Sequence, residues 1–438
     1  MYRTEVPLYG QLLQVVRDVD HSVLEKQGKQ HDDLPIRNQL ERHGAIRLGT
    51  ARELHMIKRL FAILGMHPVG YYDLQIVGFP LHGTAFRPIS NEALSRNPFR
   101  VFTTVLRREL LSPSVREITD RILSNRNLFT PGLCKLMDRV EDGHAMTAQE
   151  SEEFITEALK IFKWHSRATV PIEDYNKLKA EHPMVADIVC FPSSHINHLT
   201  PRTLDIDLAQ QEMIRQGLPA KERVEGPPPR ECPILLRQTS FKALEEPVEF
   251  VDTNGTPVWG THTARFGEIE QRGAAVTRKG RDLYDQLLSW AIRNTANVSG
   301  VPLSDVLFNA FRSYPDTWEE LRLQGLVYFH YSVSEQGKLD SSLPAKVSLS
   351  TLLSLGLVQY EPITYEDFLP FSAAGIFKSN LPDHPAESQI QNPGRNVSEL
   401  EGMLGCKVLD EVDFYDRLHQ ESIEECRKAL GVDTIIMC

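Results

Sequence analysis

The sequence predicts an α+β fold in which a βαβββ module occurs twice, with a helical insertion between the copies and an α/β extension after them. Three observations carry this expectation. A strand, a helix and three strands follow one another near the N-terminus; the same order opens again at His195; and the residues between show helical periodicity. At 438 residues the chain is also longer than one simple core usually accommodates, which fits two packed modules with insertions.

Leu12, Val15, Val16, Val19 and Val23 recur at helical spacing, so residues 1–37 read as an N-terminal helical segment. The first module spans 38–107. ERHGAIRLGT alternates around the β-branched Ile46 and predicts a strand over 42–48. Leu54, Ile57, Leu60, Phe61 and Leu64 then keep a helical period that closes at Gly65, where a left-handed cap is wanted. Strands at 69–74, 84–89 and 99–106 complete the unit. The insertion, 108–190, is typified by EEFITEALKIFKWH. The second module, 191–280, repeats the pattern with a strand at 195–200, a helix at 205–216 and strands at 234–238, 248–251 and 264–270, and EGPPPRECP forms a rigid loop within it. Residues 281–438 form the α/β extension, opening on the helical LYDQLLSWAIR, with loop-like stretches at 341–343 and 380–393.

Composition excludes several function classes. The net charge is -11 with no Lys/Arg-rich block, which argues against a nucleic-acid footprint or an anionic membrane surface. No apolar run approaches the roughly 20 residues that span a bilayer. The start, MYRTEVPLYG, has neither signal-peptide nor transit-peptide character, so a cytoplasmic location is expected. Cys134, Cys190, Cys232, Cys406, Cys426 and Cys438 show no CxxC pairing and read as free thiols. Small-molecule chemistry remains. Because the surface is negative, an acidic substrate would need a local arginine or a metal.

Three polar clusters lie in strand candidates: His43 in RHGAIR, His198 in INHLTPR and Glu268 in RFGEIEQR. Two imidazoles and one carboxylate hold ferrous iron on one face and leave positions open for substrate and dioxygen. Strand parity puts His43, Ala45 and Arg47 on one side, so a guanidinium stands beside a candidate ligand and could pair with a carboxylate of a 2-oxo acid chelating the metal. His195 and His198 are three apart and would face opposite sides of a strand, so one of them at most is a ligand; His198, like His43, opens its module. Each residue also has an ordinary structural reading: a satisfied strand histidine, a Glu268 paired with Arg265 or Arg272, a salt-bridged Arg47. His55 on the first helix, His82 in a turn and His262 are assigned to structure or surface. Ser372, in FLPFSAAGIF, sits among small residues that permit close backbone approach to a ligand or tight packing alike.

At these residues the chain resembles the vicinal-oxygen-chelate superfamily, whose paired βαβββ modules curve a sheet around a metal; FGEIEQR is similar to the stretch carrying the ligand glutamate of 4-hydroxyphenylpyruvate dioxygenase. More closely, RHGAIRLGT, SSHINHLTPRTLDID, ILLRQTSFKALEE, GTHTARFGEIEQRG and ITYEDFLPFSAAGIFKSNL resemble, in order, the 2-oxoadipate dioxygenase/decarboxylase family over nearly the whole chain. The resemblance implies Fe(II) held by His43, His198 and Glu268. It implies substrate contacts from His43, Arg47, His198, Phe371 and Ser372, with Arg47 and Ser372 in the catalytic machinery and the FSAAGIF loop closing the pocket. The family more usually has Val where Phe371 stands, so a narrower pocket and an altered preferred acid are expected if that side chain faces inward. The implied reaction takes a small 2-oxo dicarboxylic acid, 2-oxoadipate, and dioxygen to 2-hydroxyglutarate and carbon dioxide, a step of lysine catabolism. Two other readings stand beside it: a vicinal-oxygen-chelate lyase or isomerase using zinc, nickel or manganese, and a metal-free small-molecule binding protein on the same scaffold.

Overall fold

A computed structural model of the chain describes residues 1–30, 33, 34, 36–295, 302–339, 343–369 and 393–437. They form two compact units. The first comprises Met1–Glu225, Gln238–Gln271 and Phe368–Leu409; the second comprises Gly226–Arg237, Arg272–Asp367 and Asp410–Cys438. This division departs from a contiguous extension over 281–438, because the described residues Phe368, Leu369 and 393–409 group with the modules. The reason lies in the helix Pro393–Leu404, whose Leu400 and Leu404 are buried with Leu54, Ile57, Leu60 and Phe61 of the first module. The turn-rich 226–237, in turn, belongs to the second unit.

The first module has the expected order: β1 (Arg42–Leu48), the helix Ala51–Ile63, β2 (His67–Asp73), β3 (Leu81–Arg87) and β4 (Phe99–Leu106). Its helix begins at a capping box in which the Thr50 side chain accepts from the Glu53 amide and Glu53 reaches back to the amides of Gly49 and Thr50. It ends at Gly65, whose φ of 73° is the left-handed value a Cβ would oppose. Between those signals, Leu54, Ile57, Leu60 and Phe61 are buried against Ile46, Leu48, Phe86, Val101 and Val105 of the strands. Each such side chain contributes on the order of 1.5–3 kcal/mol, so packing rather than helix propensity holds the element. His82, expected in a turn, instead lies within β3 and is fully buried.

The second module is a modified copy. After β5 (Arg167–Pro171) in the insertion come β6 (His198–Pro201), the helix Ile206–Arg215, β7 (Leu236–Ser240), β8 (Glu245–Val251), β9 (Pro257–Thr263) and β10 (Phe266–Arg272). A seven-stranded sheet runs β2-β3-β4-β1-β6-β10-β7. The strand expected at 248–251 forms as β8 but is absent from that sheet. It pairs instead with β9 and β5 in a separate three-stranded sheet. Its inward residues, Val248 and Phe250, are buried with Val170, Tyr175, Leu178 and Ile188 of the insertion, which gives the β8–β9 hairpin a core of its own. In place of an outermost strand, the second copy shows two isolated bridges, Ala220 with Phe241 and Glu225 with Gln238.

The two copies meet through their first strands. β1 runs antiparallel to β6, with His43 opposite Thr200 and Ala45 opposite His198, and β6 runs parallel to β10, with His198 beside Phe266. On the other face of β10, the helix Pro7–Lys26 packs closely: a Cβ on Gly267 would lie 2.5 Å from Phe241 and 2.9 Å from Leu12. The second unit is α/β, with β11 (Phe329–Val333) antiparallel to β13 (Val358–Pro362), β12 (Lys346–Ser348) parallel to β14 (Thr434–Ile436), and long helices Arg278–Thr295 and Glu411–Leu430. Among the described residues no helix is long and apolar enough to cross a membrane. The five described cysteines are free; Cys438 lies outside the described residues.

Candidate metal centre

Three strands that neighbour one another in the sheet each supply one donor. His43 on β1, His198 on β6 and Glu268 on β10 present ligand atoms that all lie within 4.8 Å of one another, and all three residues are buried. His43 Nε2 is 3.0 Å from Glu268 Oε1, and His198 Nε2 is 4.0 Å from the same oxygen. The two rings stand at 89° with centroids 5.4 Å apart. Register explains the convergence. Thr200 sits opposite His43, and its hydroxyl donates to Glu268 Oε1 at 3.1 Å, so His43, Thr200 and Glu268 make one row across the strands. His198 occupies the next row, opposite the small, buried Ala45.

The residues fit a cation. Glu268 Oε1 also accepts from Gln238 Nε2 at 2.5 Å, whereas Oε2 is buried with no hydrogen-bond partner among the described residues. An unmatched buried carboxylate oxygen costs at least about 1–3 kcal/mol unless a positive charge meets it. His198 Nδ1 is likewise buried and unpartnered, and burial, reinforced by the positive charges of His43 and Arg47, holds this imidazole well below its ordinary pKa, in the neutral form that ligates metals. For His43 burial also opposes charge, but Glu270 and Glu268 outweigh it and raise the pKa.

Glu270 orients the first candidate donor, His43. Its Oε2 lies 2.8 Å from His43 Nδ1 while its Oε1 accepts from Arg100 at 3.0 Å; Arg100 pairs in addition with Glu41, which also meets Arg202 at 3.2 Å. A carboxylate on Nδ1 directs the Nε2 lone pair toward the centre and makes it more basic. Replacing Glu270 by Gln is expected to weaken metal affinity by about 10–100-fold with all three donors still present, measured by competition with a chromophoric chelator; unchanged affinity would remove Glu270 from the site.

The duplication also explains why there are three donors rather than four. Glu268 is two residues beyond Phe266, the strand partner of His198; the residue two beyond Arg100, the partner of His43, is Phe102. The first module therefore places a phenyl ring where the second places a carboxylate. Phe102 lies 5.4 Å from Phe368, whose ring is 4.9 Å from His43, so this side of the site is apolar.

The chain as a whole is similar to known proteins. A profile described as 2-oxoadipate dioxygenase/decarboxylase matches residues 1–380. The chain belongs to this family. It is similar to the 2-oxoadipate dioxygenase/decarboxylase of Escherichia coli (strain K12), 48% identical over 434 residues, covering 97% of this chain and 95% of that one. The protein of the same name from Pseudomonas putida is 45% identical over 449 residues, covering 99% and 95%. Among solved structures, the hydroxyglutarate synthase from Pseudomonas putida in complex with 2-oxoadipate superposes with a TM-score of 0.87 at 44% identity, covering 99% of this chain and 96% of that one.

Within this family member the other expected residues distribute as follows. Arg47 faces the same side as His43, and its Nη1 donates to Asp187 Oδ2 at 2.6 Å, so it is also the salt-bridge residue of the ordinary reading. Glu268 is not the partner of Arg265, which binds Glu246 and Glu5, nor of Arg272, which donates to the carbonyls of Tyr365 and Asp367. His195 is not among the three converging donors, and strand parity is not the reason: β6 begins at His198, and His195 precedes it with Nε2 3.2 Å from Asp187. His262, assigned to structure or surface, is buried on that same carboxylate. Phe371 and Ser372, with the FSAAGIF loop, lie outside the described residues. Sequence reasoning missed Glu270, Thr200 and Gln238. The parity of FGEIEQR could have found Glu270, which shares a strand face with Glu268.

Proposed function

We propose that this chain is a cytoplasmic, Fe(II)-dependent 2-oxoadipate dioxygenase/decarboxylase, converting 2-oxoadipate and dioxygen to 2-hydroxyglutarate and carbon dioxide in lysine catabolism. The observation that carries the reading is the buried set His43, His198 and Glu268 with Glu268 Oε2 unmatched, in a chain of this family. Loss of C1 as carbon dioxide and gain of two oxygens by the remaining five carbons balances one dioxygen, so no external reductant is required. Bound to the three donors, iron supplies the redox chemistry and a chelation point for the 2-oxo acid.

The protein groups do the rest. Thr200 and Gln238 occupy Oε1 of Glu268 and leave Oε2 for the cation, and Glu270 holds the ring of His43. Phe102 and Phe368 exclude water beside His43. Arg47 pairs with the distal carboxylate, which favours dicarboxylates by a charge-assisted hydrogen bond. Phe371 and Ser372 complete the substrate contacts, as the family resemblance implies.

The test is an oxygen-electrode assay of protein loaded anaerobically with Fe(II) and offered a panel of 2-oxo acids. Oxygen uptake matched by carbon dioxide release and strongest with 2-oxoadipate is the expected result. Turnover without oxygen uptake, supported by zinc, nickel or manganese, would assign a lyase or isomerase; ligand binding indifferent to chelators, with no turnover, would assign a binding protein.

A further inference from the structure

Four donors converge on one buried carboxylate beside the metal centre. Asp187, on the helix Pro183–Val189 of the insertion, is buried, and both of its oxygens are engaged. Oδ2 accepts from Arg47 Nη1 at 2.6 Å and from Asn197 Nδ2 at 3.2 Å. Oδ1 lies 2.9 Å from His262 Nε2 and 3.2 Å from His195 Nε2. The imidazoles are themselves held: Trp164 meets the His195 ring edge-on at 4.7 Å and stacks on His262 at 6.1 Å, and the Tyr175 hydroxyl is 3.1 Å from His262 Nδ1. Burial opposes ionisation of Asp187, yet His195, Arg47 and the hydrogen bonds of the two imidazoles hold its carboxyl well below the ordinary value. The group is a fixed anion.

A buried ion pair of this kind adds little net stability, because desolvation of both charges offsets their attraction. Its geometry has a clearer consequence. Of the four donors, Arg47 alone stands on the strand that carries His43, on the same face, and its Nε and Nη2 make no hydrogen bond among the described residues. A guanidinium is planar, so anchoring one Nη fixes the direction of the remaining N–H groups. We propose that Asp187 is a positioning residue that sets selectivity: with His262 and His195 behind it, it aims Arg47 at the distal carboxylate of the substrate. The inference rests on the assignment of Arg47 to that carboxylate and adds the apparatus that places it.

The measurement is the ratio of kcat/KM for 2-oxoadipate to that for 2-oxohexanoate, which has a methyl group in place of the distal carboxylate. Both values come from one preparation of Fe(II)-loaded enzyme, so any inactive fraction cancels. Asp187→Asn is expected to lower the ratio about tenfold, mainly through KM for 2-oxoadipate, with iron content and 2-oxohexanoate turnover kept within about twofold, as fits a charge-assisted pair loosened rather than deleted. His262→Gln, which can still offer a donor to Asp187, should keep the ratio, and His262→Leu should lower it; this pair decides the matter alone if Asp187→Asn does not accumulate. Asp187→Asn added to Arg47→Met should change the ratio no further. Equal loss for both acids in Asp187→Asn, or an unchanged ratio, overturns the inference. If Arg47→Met itself leaves the ratio intact, the Arg47 assignment falls and the inference with it. A ratio lost in Arg47→Met but kept in Asp187→Asn removes Asp187 alone.

Discussion

Replacing Glu268 by Gln is expected to abolish 2-oxoadipate-dependent oxygen uptake, by about a thousandfold or more, and to leave the purified protein without iron. The substitution keeps the volume of the side chain on β10 but removes the one negative charge in a donor set otherwise made of two imidazoles, and an amide is a poor substitute for carboxylate at a divalent ion. The fold should survive. Glu268 Oε2 is buried with no hydrogen-bond partner among the described residues, so neutralising the carboxyl should leave the melting temperature measured without added Fe(II) unchanged or higher. What disappears is the increment of stability that iron gives the native state. Metal analysis, an oxygen electrode and thermal melts with and without Fe(II) check all three expectations. His43→Ala and His198→Ala should share the loss of uptake, while His195→Ala, which touches Asp187 instead, should keep its iron. A Glu268→Gln variant that still holds iron and consumes oxygen would refute the assignment.

The second large effect is expected from Arg47→Met. Iron content should be unchanged, because Arg47 is not among the three donors, and kcat/KM for 2-oxoadipate should fall about a hundredfold while 2-oxohexanoate is little affected. Stability should fall as well. Deleting one partner of a buried pair leaves an uncompensated charge, typically at about 3–5 kcal/mol. The loss here should sit at the lower end, since His195, His262 and Asn197 still face Asp187. Adding Asp187→Asn should recover part of the melting temperature without restoring selectivity. Steady-state kinetics and calorimetry on the single and double variants measure both halves; wild-type selectivity in Arg47→Met would end the role assigned to this residue.

Much of this was legible in the chain itself. The capping box at Thr50, the apolar period from Leu54 to Phe61 and the glycine at 65 are local signals, and the helix they delimit is where they place it. The alternation in β1 likewise put His43 and Arg47 on one face. Errors arose where local pattern was right but the partner was distant. Val248 and Phe250 alternate as a strand should, yet nothing nearby says that their core is the helical insertion rather than the module. His195 and His262 look like isolated histidines in sequence, and their common partner, Asp187, belongs to a short helix whose own pattern announces nothing.

Residue types and their periods therefore determined which donors exist, which strands carry them and which side of each strand they occupy. The tertiary structure alone decided that they meet. His43 and Glu268 are 225 positions apart, and they come within 3.0 Å because the hydrogen-bond register of β1, β6 and β10 aligns their rows. Register is a property of paired backbones, set by packing on both faces of the sheet, and a slip of one residue would turn the donors to the opposite face.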